Sequence, residues 1–498
     1  MGEYIIAHDL GTSGDKAVLF DTDGNLLKSV QNTYTTRFFK GVWAEQNPES
    51  WWEAFCKSNH ELLESRDVSE VSVVGFSGQM MGCVAVDRKG RALRNAMIWA
   101  DQRAEDESRL LREKLGENEF YKLTGHRISP SYSLEKLMWI QKHEPDIFSR
   151  IYKMLQPKDY IVYRLTGQFL TDYSDASGTN AFDIGNLCWS EKILDCAEIP
   201  LEMMPRTCPS TYVAGEVPGK LAMETGLKAG TQIVIGGGDG VCASVGAASI
   251  RQGLAYNYLG SSAWISFTSK EPVLDEEMRT FNWVHMVPGY YAPTGTMQAA
   301  GNAYEFARNN FYGELSREVA YQQMDKDISL SGPGAGGLIF LPYLLGERSP
   351  RWNPQARGVI LGLKMEHTRA DMMRAVVEGI LMNLEIILRV FKKHCVFSSI
   401  NIFGGMAKSP EVCRVLSQIF GMEIHRMSYL DEATSVGAAV AAGVGTGKFS
   451  DFNAVDRFTH IEETIKPFTD GGNYKKLKVI FEESYKTVEA LFPKLSGI

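Results

Sequence analysis

One stretch near the middle of the chain restricts the possible folds more than any other: Gln232-Ile-Val-Ile-Gly-Gly-Gly-Asp-Gly-Val-Cys-Ala-Ser-Val-Gly-Ala-Ala248. Ile233, Val234 and Ile235 are β-branched and favour a strand over Gln232 to Ile235. The glycines that follow read as a turn free of side chains. The small residues after them suit a helix that another element can approach closely. One carboxylate, Asp239, stands where the turn meets the helix. On its own it reads either as a helix N-cap or as a chemically active acid.

The same alternation recurs along the chain. Tyr4 to Ala7 reads as a strand ending at His8-Asp9, followed by Leu10-Gly-Thr-Ser-Gly-Asp-Lys16 and a second strand, Ala17 to Phe20. A turn rich in Gly, Thr and Ser directs several N–H groups and hydroxyls to one point, which suits a phosphate. About 250 residues later, Ala255-Tyr-Asn-Tyr-Leu-Gly-Ser-Ser-Ala-Trp-Ile-Ser-Phe267 repeats the pattern of strand, turn and strand. Two copies of one hairpin predict two related α/β domains, 1–249 and 250–498, facing a shared cleft. A chain of 498 residues is long enough for both.

Helix signals fill the spaces between. Asn47-Pro48-Glu49 opens one helix, and Ser131 to His143 forms another. From about Ala370 to Lys393 the apolar positions Met373, Val376, Ile380, Leu384, Ile387 and Phe391 step by three or four, predicting one core-facing stripe. Ser409 precedes Pro410, and Gly421 follows, as start and stop signals. Ala433 to Ala442 is a further small-residue helix.

Composition narrows the function classes. A formal charge of −8 argues against nucleic-acid and anionic-membrane partners. No apolar run reaches the roughly 20 residues of a membrane helix. Eight scattered cysteines without a CxxC pair, and a start that runs straight into a strand, predict reduced thiols and a cytoplasmic protein.

Together these pieces resemble the FGGY family of carbohydrate kinases over nearly the whole chain. Lys136 and Trp139 in the Ser131–His143 helix fit one family signature. Gly358-Val-Ile-Leu-Gly-Leu, spaced to Asp371-Met-Met-Arg-Ala-Val-Val-Glu378, fits the other. Within the family, Trp43-Ala-Glu-Gln-Asn-Pro48, Pro157-Lys-Asp-Tyr160, Thr171 to Thr179 and Phe340 to Arg348 are most similar to D-xylulose kinases. Gluconate kinases come second, on Asp239-Gly240 and Trp99-Ala-Asp101, with other polyol or ketose kinases of the family beside them. The alternative of another class is a non-catalytic, actin-like nucleotide-binding switch, against which Asp9 and Asp239 together argue.

The resemblance implies two ribonuclease H-like domains of the actin and hexokinase type around a central cleft. It implies ATP and Mg2+, a small sugar substrate and a homodimer. Asp239 is the implied general base, ionised by the helix N-terminus, and Asp9 the acid that holds magnesium. Gly11, Thr12 and Ser13, with Gly260, Ser261 and Ser262, are the expected phosphate hairpins. Gly301, Gly404, Gly405 and Ser409 are expected around the nucleoside. Gln79, Met80, Met81, Trp99 and Asp101, together with Asp239, are expected at the sugar. Xylulose kinases usually carry Met-His where this chain has Met80-Met81, and Asp-Asn where it has Asp239-Gly240, so two hydroxyl-binding groups are replaced.

Overall fold

The computed structural model describes residues 3–429, 431–468 and 472–496. The first sheet contains β1 (Tyr4–Leu10), β2 (Gly14–Asp21), β3 (Leu26–Thr33), β4 (Val71–Gly78), β5 (Val213–Glu216) and β6 (Gln232–Gly238). The second contains β7 (Ala255–Leu259), β8 (Ala263–Phe267), β9 (Phe281–Val284), β10 (Tyr291–Met297), β11 (Ser399–Phe403), β12 (Glu423–Met427) and β13 (Ile461–Ile465).

In the first sheet, β1 pairs antiparallel with β2 and parallel with β4, and β4 pairs parallel with β6. In the second, β7 pairs antiparallel with β8 and parallel with β11, and β11 pairs parallel with β12. The strand orders β3-β2-β1-β4-β6 and β10-β8-β7-β11-β12 therefore correspond. The predicted repeat extends well beyond the hairpins, to five strands in each sheet.

The helices that matter for the site are α1 (Pro48–Leu63), α2 (Ser133–His143), α3 (Pro157–Thr166), α4 (Asp239–Gly246), α5 (Gly301–Phe311), α6 (Arg369–Phe391), α7 (Pro410–Phe420) and α8 (Ala433–Gly445). α6 departs from the single-stripe expectation. Every residue from Met373 to Leu388 is buried, because the helix is covered by the second sheet and by neighbouring helices on its other sides. Its start is as read: the Asp371 carboxylate accepts from the Thr368 N–H at 2.9 Å.

α8 belongs by sequence to the second half but lies on the first sheet, against β1, β4 and α4. The small residues explain how it fits. A β-carbon on Gly246 would stand 1.9 Å from the Ala433 carbonyl, and one on Gly437 would stand 2.0 Å from that of Cys242. The two helices meet backbone to backbone, so the pair holds the start of α4, where Asp239 stands, against the start of α8. No helix among the described residues is long and apolar enough to cross a membrane.

Candidate active site

β6 runs further than its β-branched residues suggested, directly into α4 without a separate turn. Gly236 takes φ +69, and a β-carbon there would stand 1.7 Å from the Phe76 carbonyl, so the close approach of β4 requires glycine. Gly238 is the N-cap and Asp239 is the first helical residue. Among the described residues the Asp239 carboxylate accepts only from the next N–H, that of Gly240, at 2.7 Å. Capping is therefore not its work.

The ionisation of Asp239 also differs from expectation. Burial, reinforced by the negative charge of Asp9, raises its pKa to about 7, against the opposing Gly240 N–H and the Arg348 guanidinium. The helix N-terminus alone favours the anion, but loss of water outweighs it. A carboxylate poised near neutrality is a stronger base than an ordinary one, while still free of its proton for much of the time at pH 7.

Asp9 stands near the end of β1, opposite Ser77 of the neighbouring parallel strand. The Ser77 hydroxyl donates to one carboxylate oxygen at 2.8 Å, and the Thr434 hydroxyl of α8 donates to the other at 2.7 Å. Burial raises the Asp9 pKa, and these two hydrogen bonds with Lys16 restrain the rise. Asp9, Asp239, Tyr258, Phe403 and Thr434 line a cavity of about 640 Å³. Lys16 also borders it, but its ammonium is tied to the Asp431 carbonyl at 2.7 Å.

The turn after Asp9 is braced from behind. Gln46 donates to the Thr12 carbonyl at 2.6 Å, and the Trp99 indole donates to the Thr12 hydroxyl at 2.8 Å. Ser13 is exposed. On the other sheet, Gly260, Ser261, Gly301, Gly405 and Ser409 line a second cavity, of about 480 Å³, with Tyr304, Asp325 and Met406. A β-carbon on Gly301 would meet the Gly260 carbonyl at 2.4 Å, so this helix start and the hairpin turn are fitted to one another. Gly404 (φ +101) packs behind the cavity on Leu259, and Ser262 lies in the turn but not on the wall. The Ser409 hydroxyl donates to Asp325 and accepts from the Val412 N–H at 3.1 Å, serving as the cap of α7.

A third cavity, of about 610 Å³, lies between the halves, and Met81 and Trp99 are on its wall. Met81 takes φ +62, a strained conformation for such a side chain, and its carbonyl is held by Lys136 at 2.8 Å. Met80 is instead buried beneath the start of α4, where it fills the space that a β-carbon on Gly238 would need.

Two of the expected sugar residues are placed elsewhere. Asp101 is fully buried and holds Arg103 through both oxygens, at 2.9 and 2.6 Å, while also accepting from the Ala44 N–H at 2.6 Å. Its hydrogen-bonding capacity goes to the fold, and the neighbouring Gln102 faces the cavity. Gln79, also buried, donates to Gln46 at 2.8 Å and so supports the Thr12 turn from behind.

Much of the remaining wall comes from residues that sequence reading did not single out, among them Gln102, Arg127, Trp283, Gln298, Arg348 and Trp352, with Glu105, Glu117 and Glu347 also bordering it. Arg348 is the most consequential, because it is the cation that acts on Asp239, and its Nε has no hydrogen-bond partner among the described residues. Trp283 stands 3.7 Å from where a Gly240 β-carbon would be. Arg348 ends the quoted stretch Phe340–Arg348, which was the available signal. For Trp283 and Arg127 there was none, since distant segments bring them to the cavity.

This arrangement puts one near-neutral carboxylate beside a cavity edged by a second acid, with a cation and a mixed polar and aromatic wall on its other side. It suits removal of a proton from a hydroxyl next to a bound phosphate. The N-terminal domain model of the FGGY family of carbohydrate kinases matches residues 4–246, and the C-terminal domain model matches residues 255–446. A xylulose kinase of Staphylococcus epidermidis is 33% identical over 504 aligned positions, covering 100% of this chain and 99% of that one. A gluconokinase of Bacillus subtilis is 29% identical, covering 100% and 98%. The solved structure of a ligand-bound xylulose kinase from Lactobacillus acidophilus superposes with a TM-score of 0.93 at 27% identity, covering 99% of this chain and all of that one. A gluconate kinase structure from the same organism gives the same values, so backbone shape does not separate the two activities. The chain belongs to the FGGY family of carbohydrate kinases and is an ATP-dependent sugar phosphotransferase.

Proposed function

We propose that the protein transfers the terminal phosphoryl group of ATP to the end hydroxyl of a small open-chain sugar, D-xylulose, giving D-xylulose 5-phosphate. The observation that carries this reading is Asp239 itself. It faces the Asp9 cavity, and Arg348 of the cavity between the halves acts on it. In this reading Asp239 takes the proton of the attacking hydroxyl and orients it for in-line transfer. Gly11, Thr12, Ser13, Gly260 and Ser261 surround the phosphates, with Ser262 completing the turn. Gly301, Gly405 and Ser409 surround the nucleoside, with Gly404 supporting them from behind. Met81 and Trp99, with Gln102, Gln298 and Arg348, hold the sugar. Residues 1–249 supply the base and most of the sugar wall, and 250–498 the nucleotide site.

The residues present fit a magnesium ion carried on the substrate. Among the described residues no cluster of three metal-ligating side chains exists, which speaks against a cage made only of protein. Asp9 keeps acceptor capacity on the cavity side, since each of its oxygens has one side-chain donor. Magnesium typically uses one or two carboxylates, substrate phosphates and water, so Asp9 would hold it through water. When bound, the ion neutralises phosphate charge.

Overall similarity to xylulose kinases supports D-xylulose. Arg127 and Arg348 on the cavity wall favour a second reading, an aldonate such as gluconate, because either could meet a carboxylate. Measuring ADP release with ATP and magnesium across pentuloses, polyols and aldonates decides between them. The expected result is the highest kcat/KM for D-xylulose, at least about tenfold above gluconate. A hundredfold preference for gluconate, about 2.7 kcal/mol in transition-state binding, would reassign the substrate.

A further inference from the structure

Trp99 takes part in two sites at once. Its ring is on the wall of the cavity between the halves, and its indole N–H donates to the Thr12 hydroxyl at 2.8 Å. Thr12 is in the turn that follows Asp9. Its carbonyl is already fixed by Gln46 at 2.6 Å and by Thr36 at 3.3 Å, so the backbone of the turn cannot swing freely. A hydroxyl oxygen that accepts from a rigid donor must direct its own proton elsewhere. Thr12 is half-buried, and its hydroxyl has no hydrogen-bond acceptor among the described residues, so the proton is available to the cleft. The other side of Trp99 is also engaged: the Arg348 guanidinium stands 5.8 Å from its ring centroid. One side chain thus touches the turn beside Asp9 and the cation that acts on Asp239.

We propose that Trp99, besides walling the sugar, is a positioning residue that aims the Thr12 hydroxyl proton at the phosphoryl group being transferred. A group in the sugar cavity thereby sets the direction of a donor on the turn that follows Asp9. This rests on the reading above, in which the Gly11–Ser13 turn faces the phosphates. A wall residue alone would be felt in sugar binding. A positioning residue is felt in the transfer step, where a donor aimed at developing charge matters most.

Trp99→Phe separates these roles, because it keeps the aromatic face and removes the indole N–H. The test compares steady-state kinetics of the parent, W99F, T12V, T12S and the W99F/T12V pair on the preferred sugar. W99F is expected to lower kcat about tenfold, less than the 10²–10³-fold typical of deleting a direct donor, with KM for the sugar within about twofold. T12V is expected to lower kcat about 10²-fold, and T12S, which keeps the hydroxyl, to recover most of that loss. The double variant should be no slower than T12V, because the two changes remove one function.

A raised sugar KM with unchanged kcat in W99F overturns the proposal, and so do W99F and T12V effects that multiply. If W99F does not fold, T12V and T12S decide alone: a kcat for T12V within twofold of the parent overturns it. A parent enzyme that phosphorylates no sugar would instead refute the kinase reading, so the two failures are distinguishable.

Discussion

Asp239→Asn is expected to lower kcat by about 10³-fold, in the middle of the 10²–10⁴ range for loss of a general base, with substrate KM values little changed. The substitution is close to isosteric. The amide oxygen of Asn can still accept from the Gly240 N–H, which is the only hydrogen bond the carboxylate makes among the described residues. No cap is lost, because Gly238 holds that position. The fold should therefore survive, and the loss, about 4 kcal/mol in the barrier, reports the missing base. Thermal unfolding close to that of the parent checks this point. A D239N variant that turns over as fast as the parent would remove Asp239 from the mechanism.

The second large effect is expected at Asp9. Asp9→Asn should reduce kcat about 10²–10³-fold at ordinary magnesium, the cost typical of losing one electrostatic contact to the reacting group. The magnesium concentration needed for half-maximal rate should rise as well. The variant also makes a second, independent prediction. The charge of Asp9 is one reason the Asp239 pKa is raised, and removing it lowers that pKa. The residual activity of D9N should therefore persist to lower pH than that of the parent. A D9N enzyme with parental magnesium dependence and an unmoved pH profile would place Asp9 outside the metal and base pair. Thr434→Val, which removes one of the two side-chain donors to Asp9, should act in the same direction and more weakly.

What the sequence made legible was local and periodic. The two hairpins and the caps of α6 and α7 follow from residue type and spacing and appear as read, while the strand before Asp239 is longer than its β-branched residues suggested and replaces the expected turn. The duplicated hairpin was enough to suggest two related halves, and the matching five-strand orders are the fuller form of that signal. Asp9, Asp239 and Gly301, singled out where chemistry and local structure coincide, each border a cavity. The site was not legible where a side chain's role depends on a distant partner. Asp101 looked like a sugar ligand until Arg103 and the Ala44 N–H occupied its carboxylate. Gln79 looked like another until Gln46 engaged it. Thr434 reaches Asp9 only because the small residues of α4 and α8 let the two helices touch.

The ionisation of Asp239 is the clearest case. A helix N-terminus is visible in sequence and predicts an anion. The burial and the facing Asp9 that reverse the shift are visible only in the fold. That reversal changes the account of Asp239 from a permanently charged acceptor to a base tuned near the working pH, by the same neighbour that would hold the metal.

The pH dependence of kcat/KM tests this most directly, because it reports the free enzyme's essential groups. With sugar and MgATP both held well below their KM values, the account predicts a rate that falls tenfold per pH unit on the acid side, with a midpoint at about 7 and no such limb in the residual activity of D239N. A profile flat down to about pH 5, or an acid limb centred at the ordinary carboxylate value near 4, would contradict it.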